Sequence, residues 1–159
     1  MKPFRFNLDA LLRLRESEKE RAQGLFVQAQ QARRQARAVV DATLAAKAAL
    51  GESMKQARGG AFSVAGQQQF LQAQAGVSDH LREARIQEQH RAKEAAAALQ
   101  VYRAARLKVQ MLEKLRERRR QSHEAAMERA EMLAIEDLVN ARHGRGGLAA
   151  ALGEGALTS

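Results

Sequence analysis

No cysteine and no tryptophan occur in the 159-residue chain, proline appears once, and aromatic residues make up 4%. Without cysteine there is no disulfide framework and no thiolate zinc site, which fits a reducing compartment. With so few aromatics, and with alanine supplying much of the 45% hydrophobic content, a thick globular core is not expected. The single proline, Pro3, leaves everything after it free to be helical. Long hydrophobic runs are also missing. Met1 to Phe6 lacks the apolar stretch of a signal peptide, and no run approaches the ~18 apolar residues of a membrane span. A soluble or peripheral chain, by default cytoplasmic, is expected.

The groups that carry catalysis are scarce as well. Four histidines, His80, His90, His123 and His143, are scattered, and none lies three or four residues from another. There is no Glu-x-x-His pair for a helical di-iron site, no phosphate-cradling glycine loop and no nucleophile elbow. The expected protein is not an enzyme and carries no cofactor and no metal.

What is present is Ala, Gln, Arg, Glu and Leu in long runs, the composition of long helices and coiled coils. Asn7 or Asp9 can cap a helix starting near Leu8. Ala22, Leu25, Ala29, Ala32, Ala36, Val39, Thr43, Ala46 and Leu50 then follow an unbroken three-four spacing, a heptad seam. Arg58-Gly59-Gly60-Ala61-Phe62-Ser63 interrupts it. Adjacent glycines can take positive φ and end a helix, and Ser63 can cap the next one. The seam resumes at Phe70, Gln74, Val77, Leu81, Ala84, Glu88, Arg91, Ala95, Ala98, Tyr102, Ala105, Val109 and Leu112.

These elements predict an all-α fold, a long two-helix antiparallel coiled-coil hairpin. Helix 1 covers 1–58, the turn 59–63 and helix 2 64–142, while the glycine-rich 143–159 forms a flexible tail. In this register opposed residue numbers sum to about 122, and helix 2 outruns helix 1 by roughly 20 residues. Glu88 and Arg91 are charged seam positions, able to reach across to opposite charges such as Arg34. An alanine seam buries little per layer, so the hairpin should be modestly stable alone and stabilised by a partner.

The formal net charge is +9 and the pI about 10.8, which directs the chain toward anionic partners. Lys114 to Arg120 is the densest basic cluster, and Arg116 and Arg120 share a helix face with His123. Arg58-Gly59-Gly60 and Arg145-Gly146-Gly147 each occur once and without the aromatics of an RNA-binding tail, so nucleic acid is not the expected partner. Near the turn, Phe70, Gln74 and Val77 form a stripe that helix 1, ending there, should leave partly uncovered.

Phe4-Arg5-Phe6-Asn7-Leu8-Asp9-Ala10-Leu11-Leu12-Arg13-Leu14-Arg15-Glu16-Ser17-Glu18 resembles the opening of the flagellar export protein FliJ family. Leu112-Glu113-Lys114-Leu115-Arg116-Glu117-Arg118-Arg119 is similar to that family's leucine and basic run, and Arg129-Ala130-Glu131 with Ile135-Glu136-Asp137 to its later acidic element. The resemblance implies a cytoplasmic component of the flagellar type III export apparatus, similar to the central stalk of rotary ATP synthases. It further implies binding in the pore of the hexameric, FliI-like export ATPase, contact with the export gate protein FlhA, and escort of substrate chaperones. Carried onto this chain, the ATPase contacts fall on Phe4, Phe6, Leu8, Arg13, Arg15, Arg116, Arg119 and Arg120, and the export-gate contacts on Phe70, Gln74 and Val77. A monomer, peripheral to the inner membrane at the flagellar base, is expected. The alternatives are the stalk of a virulence type III system, a basic coiled-coil nucleic-acid binder, and a purely structural homodimeric coiled coil.

Overall fold

The computed structural model describes residues 3–60 and 63–154, with side chains as far as residue 144. Two helices account for almost all of them, α1 (Asp9–Arg58) and α2 (Val64–Glu154), and no strand occurs among the described residues. The chain divides into two compact units, one of Leu11–Val109 and the other of Met1–Ala10 with Gln110–Ser159.

The larger unit is the antiparallel hairpin. Its register is fixed by contacts from opposite helices: Phe26 stacks parallel to Tyr102 at 6.2 Å between ring centroids, and Arg33 Nε lies 3.9 Å from a Glu88 carboxylate oxygen. Val40 packs with Leu81 and Ala84. The core is thin, as the alanine seam predicts. Ala95 and Val109 reach 2% exposure, yet no large side chain is wholly buried among the described residues.

The α2 seam lies where the spacing puts it. Leu81, Ala84, Ala95 and Val109 are buried, and Phe70, Val77, Glu88, Ala98, Tyr102, Ala105 and Leu112 half-buried, whereas Gln74 and Arg91 are exposed. In α1 three of the nine expected seam positions are displaced. Ala22, Ala29, Ala32, Ala36, Thr43 and Leu50 are buried or half-buried, as the spacing expects, but Leu25, Val39 and Ala46 are exposed, and Phe26, Val40 and Met54 are covered instead. Leu25 and Val39 are exposed at 56% and 46%.

The charged seam also differs in its partner. Glu88 meets Arg33 rather than Arg34, while Arg91 turns along its own helix to Glu94 at 2.8 Å. Thr43, the one buried polar residue among the described residues, donates its hydroxyl to the Val39 carbonyl four residues back, at 2.8 Å. That bond satisfies the hydroxyl inside an apolar seam.

The turn forms by a different mechanism from the one expected. The N–H groups of Gly59 and Gly60 donate to the Gln56 and Ala57 carbonyls, at 3.2 Å each, so the helix end tightens into i, i−3 bonds. No glycine among the described residues has positive φ. Ser63 does act as the cap of α2, its Oγ accepting the Gly66 N–H at 3.1 Å. Ala61 and Phe62 lie outside the described residues.

At the other boundary, α2 continues past 142 to Glu154, where the glycine content led us to expect a tail. Gly144, Gly146 and Gly147 each weaken a helix by about 1 kcal/mol relative to alanine, but Leu148-Ala149-Ala150-Ala151-Leu152 is strongly helix-forming and no proline intervenes. Residues 155–159 lie outside the described residues.

Candidate functional site

The smaller unit places the extended residues before α1 against the middle of α2. Phe6 is its buried anchor, at 9% exposure, and the Arg119 guanidinium carbon stands 5.8 Å from the centre of the Phe6 ring. At that distance the cation interacts with the negative face of the ring, a contact worth about 0.5–1 kcal/mol at an exposed site. Two residues earlier, Phe4 meets His123, ring centroids 5.7 Å apart and tilted by 56°. The alternation of Phe4 and Phe6 in extended chain aims both rings at one helix, and Arg119 and His123 receive them because they lie one turn apart.

Arg116 joins Phe4, Arg5, Phe6 and Asp9 around a groove of about 340 Å³. The structure therefore gathers Phe4, Phe6, Arg116 and Arg119, and Leu8 is half-buried in the same unit. Arg120 has a different setting. Its Nε and Nη2 bind both oxygens of Glu117 at 3.0 and 2.8 Å, and Nη1 binds Glu124 at 2.6 Å. The fork holds the Glu117 carboxyl below its ordinary pKa of 4.5 and raises that of the guanidinium. Gln121 adds a further donor to Glu117 at 2.9 Å. Unlike its neighbours, Arg120 presents a charge already shared between two carboxylates.

A second, larger groove of about 520 Å³ opens on the other side of Phe4, lined by Pro3, His123, Glu124, Met127, Glu128 and Glu131. Spacing along α2 did not announce it, because its wall is the residue stretch preceding α1. The signal available was the recurrence of Glu124, Glu128 and Glu131 on one helix face beside Met127.

Arg13 and Arg15 belong to the hairpin unit. Arg13 is exposed, and Arg15 donates to Glu18 at 2.8 Å, which holds the Glu18 carboxyl below its ordinary value. Phe70 and Gln74 line a cleft of about 230 Å³ with Lys47, Leu50, Gly51 and Met54. Helix α1 thus reaches far enough to flank Phe70, which is half-buried, as is Val77. The exposed apolar side chains here are instead Leu71 and Val64, at 54% and 78%.

Of the remaining histidines, His90 Nδ1 lies 3.4 Å from Glu94, and His80 and His143 are exposed. No three His, Cys, Asp or Glu side chains gather as a metal site among the described residues. No helix there is long and apolar enough to cross a membrane. The arrangement is suited to binding, with cations fixed beside aromatic rings on one groove and carboxylates beside apolar side chains on the other.

Comparison with known proteins agrees with the motifs. The model of one family, described as Flagellar FliJ protein, matches residues 4–148, nearly the whole chain. No match was found among curated proteins or among solved structures. The chain belongs to the FliJ family, and with it to the components of the flagellar type III export apparatus.

Proposed function

We propose that the chain is a non-enzymatic stalk that binds the hexameric, FliI-like export ATPase, promotes its assembly and activity, and links it to the export gate protein FlhA. The ATPase contact uses Phe4, Phe6, Leu8, Arg13, Arg15, Arg116, Arg119 and Arg120. The gate contact uses Phe70, Gln74 and Val77, and unloaded substrate chaperones are escorted by the same molecule. The protein works in the cytoplasm, as a monomer held at the inner membrane through the export apparatus. The flagellar description of the matching family favours this reading over a virulence system.

The observation that carries the reading is the pairing of Arg119 with Phe6 beside Arg116, which presents cations in fixed positions on a rigid helix. A rod without a catalytic group biases an ATPase ring only by binding some subunit conformations better than others. Cations held in place by their neighbours discriminate between such conformations with less entropy loss than mobile lysines would. Because Arg120 is engaged by Glu117 and Glu124, Arg116 and Arg119 carry more of the interaction.

The test is ATP hydrolysis by the export ATPase, with and without the chain, using wild type, Arg116→Ala/Arg119→Ala and Arg120→Ala. Stimulation by wild type, most of it lost in the double variant and little in the single one, is expected. No stimulation by wild type refutes the reading.

A further inference from the structure

Beyond the basic groove, α2 carries a face left exposed among the described residues. Every residue from 128 to 144 is exposed, including Met132, Ile135, Leu138 and Val139 at 47–64%. At 100° per residue, Met127, Glu128, Glu131, Met132, Ile135, Leu138 and Val139 fall within an arc of about 140°. The face runs directly out of the groove formed by Pro3, Phe4, His123, Met127 and the three glutamates. A helix that kept so many large apolar side chains on one side without a partner would leave a contiguous apolar strip in water.

The charge on this face decides what covers it. Between Glu124 and Val139 the chain holds five carboxylates and one arginine, although its overall net charge is +9. Neither Glu128 nor Glu131 has an ion-pair partner among the described residues, whereas Glu124 is bound to Arg120. A second copy of the chain would bring its own Glu128 and Glu131 to the seam, with Arg142 as the one cation on the same arc. Like charges facing each other across such an interface oppose association.

We infer that this acidic, apolar face of α2 is a docking surface for a basic amphipathic helix of a partner protein. Apolar side chains of the incoming helix, spaced i, i+3, i+4 and i+7, seat on Met127, Ile135, Leu138 and Val139, and its lysines or arginines meet Glu128 and Glu131. The Phe4 ring and Met127 close the head of the groove, where an incoming aliphatic stem with a cationic tip fits. Phe4 is the one residue shared with the cationic groove of Arg116, and the rest of the surface, from Met127 to Val139, lies outside that groove.

The test titrates the full chain into a fluorescently labelled synthetic peptide of about 18 residues, built of leucine at i, i+3, i+4, i+7 spacing with lysine elsewhere. Anisotropy is compared with the same peptide carrying glutamate for every lysine, and with a scrambled leucine–lysine peptide. The leucine–lysine helix should bind saturably, one per chain, with both comparison peptides roughly tenfold weaker or more. Glu128→Lys/Glu131→Lys and Ile135→Ser/Leu138→Ser should each weaken it by a similar factor while helicity by circular dichroism is retained. Equal or tighter binding of the leucine–glutamate peptide, or undiminished binding by either variant, overturns the proposal. So does a dimer in sedimentation that Ile135→Ser/Leu138→Ser dissolves, because the occupant is then a second copy.

Discussion

Two adjacent valines give a direct test of the hairpin register. Val39 lies on the apolar series read from sequence, but Val40 is the one that packs with Leu81 and Ala84. Their exposures are 46% and 7%. Truncation to alanine removes two carbons, each worth about 0.8 kcal/mol when fully buried. Scaled by burial, Val40→Ala loses about 1.5 kcal/mol and Val39→Ala about 0.9 kcal/mol. Both variants regain about 0.5 kcal/mol because alanine is the better helix former. Only the Val40 site also leaves a gap against Leu81, which widens the difference to about 1 kcal/mol. Urea unfolding followed by circular dichroism should therefore place the Val40→Ala midpoint about 0.5 M below that of Val39→Ala. Equal midpoints, or a larger loss for Val39→Ala, would refute the register.

Other outcomes follow from single contacts. Ser63→Ala removes the acceptor for the Gly66 N–H and should cost about 1 kcal/mol in the same melt. Gly59→Ala and Gly60→Ala should leave the sedimentation coefficient unchanged, since neither glycine has positive φ and an added Cβ meets only ordinary contacts, at 3.4 and 3.9 Å. Replacing Arg33 by alanine should lower stability by at most about 1 kcal/mol, because its exposed guanidinium lies 3.9 Å from the half-buried Glu88 carboxylate. Glu117 and Glu18 titrate below 4.5 in the folded chain because Arg120 and Arg15 hydrogen-bond their ionised forms. The unfolded chain binds those protons more readily, so this contribution is present above 4.5 and disappears as pH falls through the lowered folded values. NMR titration of the Glu117 carboxyl should return it toward 4.5 in Arg120→Gln; an unmoved midpoint would show that the fork is not the cause.

The antiparallel pairing and nearly all of the α2 seam were legible because a three-four repeat of apolar residues needs no tertiary information. Leu81, Ala84, Ala95 and Val109 announce themselves in this way. The α1 register was obscured because apolar residues stand side by side, Leu25 with Phe26 and Val39 with Val40, and spacing alone does not choose between such neighbours. The Phe26–Tyr102 stack depends on that same register, so it was lost with it. Phe4 and Phe6 could be singled out from their motif, but their partners could not be read from periodicity, because residues outside a helix have no heptad phase. The helix through 154 was missed for another reason: isolated glycines lower helix propensity without ending a helix, and the alanine run beyond them prevails.

The cationic and aromatic cluster on α2 is proposed to regulate a hexameric ATPase. The most direct measurement is ATP hydrolysis and ring assembly of the export ATPase as the chain is titrated in, with light scattering reporting hexamer formation. Both should rise together and saturate near one chain per ring, and Arg116→Ala/Arg119→Ala should shift saturation to higher concentration. Hydrolysis and assembly that stay flat across the titration would contradict that role.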